Sequence, residues 1–346
     1  MRILICLALI LPYISIQANA VSIKAPPVPD AGIDLMPNDT GSFPDALMEL
    51  FRKSVSALYP ELEAVVRSAV FLLGIVLIIS IIQRFHTEKN RIINIAAAAM
   101  ITSILINDTN TLIRLGADTI TELSEYGKLL LPVMTAAMAG QGGITTSTSL
   151  YAGTAVFDLV LTGLISKYLL PGMYIFLVFA IANSAIGEDV FKKFRDMIKS
   201  LISWSLKTLL TVFTTYMSIT KVISGTTDAA ALKTAKMTIS STVPVVGGIL
   251  SDASEAVLVS AQLVKNAAGV YGILAVLAVF LAPFLRLWIN YLVLKASAAL
   301  CGVFAAKPQT DLIEDFASAM GLLLAMTASV CLLLLISTVC FMKVVI

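Results

Sequence analysis

Charge and histidine are what this chain of 346 residues has least of. Asp, Glu, Lys and Arg make up 13% of it, against about a quarter in a soluble globular domain. The one histidine, His86, leaves no partner for a histidine triad or a His-rich metal centre. The four cysteines, Cys6, Cys301, Cys331 and Cys340, are too widely separated for CxxC or Cys/His clusters, so no metal site is expected. The last three lie in apolar runs, where a thiol behaves as a small hydrophobe. A formal charge of +2 with a pI near 8.3 supplies no basic face, which argues against nucleic acid as a partner. GxxxxGK(S/T), HExxH, GxSxG and GxGxxG motifs are all missing, so neither an enzyme nor a cofactor is expected.

What the chain has instead is hydrocarbon. Apolar residues make up 58% and the mean hydropathy is +0.93, concentrated in blocks that charged turns separate. That pattern predicts an all-α, polytopic membrane bundle with the lipid bilayer as its solvent.

Residues 1–20 read as a secretory signal. Arg2 forms a short positive region, Ile3 to Ile16 an apolar core shorter than the roughly 20 residues of a span, and Ala18-Asn19-Ala20 a cleavage site. The mature chain then starts at Val21, outside the cytoplasm. Residues 21–63 carry three basic against seven acidic residues, with Pro26, Pro27, Pro29 and Pro37 marking an extended linker. Within them Phe43, Leu47, Leu50, Phe51, Val55, Leu58 and Tyr59 recur at helical spacing. This amphipathic helix suits a membrane surface, a partner protein or the chain's own first span.

The first hairpin, residues 64–128, opens with a span at Val65 to Ile82. Arg84, Lys89 and Arg91 follow it and belong in the cytoplasm by the positive-inside rule. Ile92 to Ile106 returns, and Asn107 to Lys128 is a second amphipathic stretch. Residues 129–223 and 224–346 form two membrane units. Their spans are Tyr151 to Ile165, Leu169 to Ile186, Leu201 to Ile223, Val270 to Leu287, Ile289 to Phe304 and Phe316 to Phe341. Seven or eight crossings are expected, with Ser166-Lys167-Tyr168 as the turn of a hairpin.

Two segments interrupt the pattern. Leu129 to Ala139, containing Pro132, runs into Gly140-Gln141-Gly142-Gly143. Val243 to Leu250, containing Pro244, Gly247 and Gly248, runs into Ser251-Asp252-Ala253-Ser254-Glu255. Non-helical backbone at membrane depth survives only where protein covers it or water reaches it, so these read either as broken, re-entrant half-helices beside a polar path or as ordinary outer loops. Pro132 to Pro171 and Pro244 to Pro283 share a 39-residue separation, the pattern of an internal duplication. With three crossings per unit, however, Lys192, Lys193, Arg195 and Lys199 fall outside, against the charge rule.

Charges inside apolar blocks cost about 2.5 to 3.5 kcal/mol at the bilayer centre on insertion scales. Asp158, Arg286 and Lys295 therefore need either an opposite charge, a wet cavity or, for the long basic chains, a reach to the interface. One well-buried aspartate falls short of the pair that intramembrane aspartyl proteolysis requires. Thr208, Thr211, Thr214, Thr215, Ser218 and Thr220 put hydroxyls on one span, as a pore lining or as helix contacts.

The run Val243-Pro244-Val245-Val246-Gly247-Gly248-Ile249-Leu250-Ser251-Asp252-Ala253-Ser254-Glu255, then Leu263-Val264-Lys265-Asn266-Ala267-Ala268-Gly269-Val270-Tyr271-Gly272, then Pro283, resembles the C-terminal half of the stage III sporulation protein AE family. The resemblance implies a large membrane subunit of the secretion-like channel that joins mother cell and forespore during endospore formation. Its implied partners are the other membrane proteins of that complex, an ATPase and a ring-forming extracytoplasmic protein. Its implied place is the mother cell membrane around the forespore. A self-contained secondary transporter using Asp158 is the alternative, and a pure scaffold a third reading. The candidate polar-path residues are Pro132, Gly140, Gly142, Gly143, Asp158, Pro244, Gly247, Gly248, Asp252, Glu255, Asn266 and Lys295.

Overall fold

The computed structural model describes residues 26–37, 43–85, 91–187, 190–242 and 247–342, with side chains for all of these except 232, 235–242 and 247–265. The expected signal segment lies outside the described residues. Every element among the described residues is helical: α1 (Asp30–Ile33), α2 (Phe43–Phe85), α3 (Arg91–Ala139), α4 (Ile144–Leu164), a π-turn (Ile165–Leu169), α5 (Leu170–Ile186), α6 (Lys192–Thr242), α7 (Gly247–Phe304) and α8 (Lys307–Met342). The all-α bundle is as expected. Among the described residues, five stretches are long and apolar enough to cross a membrane: Phe43–Phe85, Arg91–Ala139, Ile144–Ile186, Asn266–Phe304 and Lys307–Met342.

Several expected turns are absent because the helix continues through them. Ser166-Lys167-Tyr168 is no hairpin turn; these exposed residues sit on the π-turn that joins α4 to α5. The reason is Pro171, which lacks an N–H and clashes with the preceding turn in a regular helix. Widening that turn, with the Leu170 N–H reaching back to the Ile165 carbonyl, lets the helix run on. Likewise Val270 to Leu287 and Ile289 to Phe304 are parts of one helix of 58 residues, α7, which carries Pro283 inside it. The amphipathic helix after Phe43 is continuous with the first span, burying Ala46, Leu50, Ser54 and Leu58 towards the bundle. The linker residue Gly32 packs against Val279 of α7.

The long helices run up and down. Gln83 of α2 donates to Asn94 of α3 at 3.2 Å, Ser80 bonds the Phe304 carbonyl, and Arg195 at the start of α6 pairs with Asp315 near the start of α8. The end of α2 with the start of α3, the end of α5 with the start of α6, and the end of α7 with the start of α8 thus share one end of the bundle. The turn at 140–143 lies at the other, where Asp228 of α6 meets the start of α4 and Met342 meets Gly269. Each membrane unit now makes two long passes, not three. Lys192, Lys193, Arg195 and Lys199 consequently fall at the same end as Arg84, Arg91 and Lys307, and the conflict with the charge rule disappears.

Helix α8 forms the core, with Phe316, Met320, Leu323, Met326, Val330, Leu334 and Phe341 fully buried. Small residues on its neighbours make the room. Gly116 and Gly127 of α3 receive Leu323 and Leu334, at the same spacing on two parallel helices. Gly153 of α4 receives the ring of Tyr216 from α6, whose hydroxyl donates to the Ser149 carbonyl at 3.0 Å while Phe157 lies 5.7 Å away.

A Cβ at Gly153 falls 2.0 Å from Tyr216 Cε1, whereas one at Gly163 on the same helix meets nothing within 4 Å. Gly153→Ala is expected to destabilise the protein by about 1–3 kcal/mol through overpacking. Gly163→Ala is expected to be neutral or to stabilise by up to about 1 kcal/mol through helix propensity. Thermal unfolding of the two variants in the same detergent checks the contrast.

Candidate functional site

The glycine-rich interruption is a tight turn. Gly140, Gln141, Gly142 and Gly143 donate their N–H groups to the carbonyls of Ala136, Met138, Ala139 and Met138 at 2.9–3.2 Å. Gly142 takes φ +87°, a conformation that side chains disfavour. Helix α4 then starts without a side-chain cap of its own. Its free donors are met from across the bundle: the amides of Thr145 and Thr146 donate to the two carboxylate oxygens of Asp228 at 3.0 and 2.8 Å. A helix N-terminus carries partial positive charge, so a carboxylate here both caps and neutralises it. Burial pushes the Asp228 carboxyl up, but hydrogen bonds from Thr146 and Thr145 outweigh that and hold it below the ordinary carboxylate range.

The other sequence-derived candidates lie apart. Pro132 is inside α3, two turns before its end. Pro244 falls outside the described residues, Gly247 and Gly248 open α7, and Asp252 and Glu255 follow in its first turns with side chains outside those described. Asn266 is exposed. Asp158 is buried between α3 and α4, where Ser124 Oγ donates to its Oδ2 at 2.6 Å and Oδ1 has no hydrogen-bond partner. One turn away Thr154 bonds Ser337 of α8 at 2.9 Å.

Lys295 sits near the opposite end and pairs with Glu314 at 2.6 Å. Beside it are the buried Arg195–Asp315 pair at 2.5 Å and the Lys199–Ser318 bond at 3.0 Å. Burial works against the Arg195 charge, but the Asp315 carboxylate more than offsets it and raises the guanidinium further above its ordinary range. Arg286 reaches Glu61 of α2 at 2.7 Å beside a cavity of about 290 Å³, lined also by Ser68, Asp108 and Asn290. All three charges singled out in apolar blocks thus have partners. Sequence reasoning missed Asp228, although it is the sole acidic residue between Asp196 and Asp252, and that isolation was the available signal.

Long apolar helices in antiparallel passes, charged turns gathered at one end and buried polar side chains tied between helices define a multi-pass α-helical membrane protein. The chain belongs to the stage III sporulation protein AE family, whose model matches residues 34–344. It is therefore a sporulation protein. One curated relative is the stage III sporulation protein AE of Bacillus subtilis (strain 168), 21% identical over 235 residues. That alignment covers 68% of this chain and 59% of the relative, so the chain spans less than two thirds of its length. No solved structure matches the chain.

Asp228→Asn removes the capping charge with little change of shape, and a cost of about 1 kcal/mol is expected at neutral pH. A carboxyl depressed by folding contributes stability above its unfolded value of about 4 and loses it as pH falls through the lower folded value. The gap between parent and variant should therefore persist down to about pH 4 and close below it, as thermal unfolding across that range will read. Arg195→Ala strands a buried carboxylate and is expected to cost about 3–5 kcal/mol, whereas replacing Arg195 and Asp315 together by leucine recovers most of the loss. Thermal unfolding of the single and the double variant measures both.

Proposed function

We propose that this chain is the large integral-membrane subunit of the channel complex that joins mother cell and forespore during endospore formation. Membership of the stage III sporulation protein AE family across nearly the whole described bundle carries the reading. A polytopic body without a nucleotide-binding motif of its own agrees with a subunit driven from elsewhere, by an ATPase on another chain. The other partners in this reading are the remaining membrane proteins of the complex and a ring-forming protein outside the cytoplasm.

In this reading the protein lies in the mother cell membrane around the forespore, with its mature N-terminus outside the cytoplasm. The orientation draws on the turns: Arg84, Lys89, Arg91, Lys192, Lys193 and Lys307 flank those at one end, while Gly140 to Gly143 at the other is free of basic residues. The lead around α1 and the outer halves of α2 and α3 then face the space between the two membranes, where a ring-forming partner is met.

Two measurements test this. Tagged protein purified from sporulating cells of the native host is expected to bring down membrane proteins and a secretion-type ATPase encoded beside it, and deletion of the gene is expected to block endospore formation. With single cysteines in an otherwise cysteine-free chain made in non-sporulating cells, where it lies in the plasma membrane, positions 193 and 307 should resist an impermeant thiol reagent while 141 and 233 react. Solute uptake by the reconstituted chain alone, driven by an ion gradient and abolished in Asp158→Asn, would overturn the proposal.

A further inference from the structure

The cavity beside the Arg286–Glu61 pair has no part in the function described so far. Three helices wall it: α2 supplies Glu61 and Ser68, α3 supplies Asp108 and Thr111, and α7 supplies Arg286 and Asn290. Its depth is legible along each helix. Ser68 lies 17 residues before the end of α2, Asp108 17 after the start of α3, and Arg286 18 before the end of α7. At 1.5 Å per residue all three stand about 26 Å from the charged-turn end, close to the roughly 30 Å thickness of the hydrocarbon. Apart from Arg84 and Arg91 at that end itself, the three helices carry one charge over this interval, Lys295, and Glu314 neutralises it. The cavity therefore opens where the apolar layer gives way to headgroups at the other surface, a level that exposed Trp288 also marks.

Charges of both signs meet there. Arg286 Nε lies 2.7 Å from Glu61 Oε2, yet that buried oxygen receives no aligned hydrogen bond, and among the described residues Arg286 has no second acidic partner. Asp108 is exposed to the cavity, with Ser68 Oγ at 3.4 Å as its one side-chain bond and no cation in ion-pair reach among the described residues. Behind this polar chamber a narrower cleft continues. It shares Ser68, Asp108 and Asn290 with the cavity and runs between Leu72, Leu105 and Leu294, each about one turn further toward the charged-turn end. A charged chamber at headgroup level with an apolar cleft leading into the layer is complementary to an amphiphile.

We infer that this cavity binds one phospholipid with a zwitterionic, primary-amine headgroup, of the phosphatidylethanolamine class. The phosphate meets Arg286, whose planar fork suits phosphate oxygens. The ammonium meets Asp108 and the unsatisfied Glu61 oxygen, and its three N–H donors supply what carboxylates accept. A choline headgroup has no N–H to give, and no aromatic residue surrounds the cavity to cage a quaternary ammonium. An anionic headgroup without an amine adds negative charge where two carboxylates already face one guanidinium. The first methylenes of an acyl chain enter the leucine cleft, and the bound lipid bridges α2, α3 and α7.

Native mass spectrometry of the full chain, stripped of lipid in detergent, tests this with dioleoyl phosphatidylethanolamine, phosphatidylcholine and phosphatidylglycerol added in turn. One phosphatidylethanolamine is expected to bind at least about tenfold tighter than either of the others, the ratio that one charge-assisted hydrogen bond supplies. Asp108→Asn keeps the shape of an exposed side chain without its charge, and should bring phosphatidylethanolamine down to the level of phosphatidylcholine. Arg286→Gln should weaken it by at least a similar factor. Glycerophosphoethanolamine, the same headgroup without chains, should fail to displace the lipid at tenfold excess; displacement would reassign the site to a free solute and overturn the inference. Equal binding of the three lipids to the unsubstituted chain, or no retained lipid at all, sinks the site without recourse to any variant. So does a preference for phosphatidylglycerol, or a phosphatidylethanolamine preference that survives Asp108→Asn. The site stands apart from the channel reading, since neither gene deletion nor purification of the native complex reports on it.

Discussion

A backbone that runs through lipid has to satisfy its own amides and carbonyls, and this chain does so by turning almost only at the two ends of its bundle. Everything else follows from the length that this imposes. The helices are 43, 49, 51, 58 and 36 residues long for α2, α3, α6, α7 and α8, and each needs a packing solution along its whole course. α8 provides the shared surface. Its large side chains enter gaps left by glycine on α3, and Tyr216 enters the gap at Gly153, so close helix approach and van der Waals contact do the work that the hydrophobic effect performs in water.

Where the backbone has to stop being helical, the molecule spends polar side chains. Asp228 is the clearest instance, since it lies 82 residues from the amide of Thr146 that it accepts from and so ties the far end of α6 to the turn after α3. Asn183 plays a related part at the opposite end: its carbonyl accepts from Gly187 and its side chain from Phe191, closing the turn into α6. Ser124 with Asp158 and Thr154 with Ser337 are the interior counterparts, holding α4 to α3 and α8. Polar chemistry in this protein is concentrated on holding helices in register.

The sequence carries the class of the protein plainly, because apolar blocks and charged turns are composition-level signals that no tertiary contact can hide. It carries the helix boundaries poorly where proline is concerned. Ser166-Lys167-Tyr168 has the polarity of a turn, but polarity along one exposed strip of a π-turn looks the same in one dimension. The long-range caps are illegible for a different reason: the residues that Asp228 serves are distant in the chain, and a glycine-rich segment read alone looks open. Of the candidate site residues, Gly140, Gly142 and Gly143 gather at one structural feature, while Asp158 and Lys295 each belong to a separate contact far from it.

The length of α7 has one more implication. Fifty-eight residues at 1.5 Å each extend roughly 87 Å, about twice the full thickness of a bilayer with its headgroups. Even a steep tilt leaves a substantial part of α7 standing clear of the lipid, continuous in helix with the embedded part. A tug or a twist applied to that projecting end has one unbroken helix, with Pro283 along it, as its route to the embedded part.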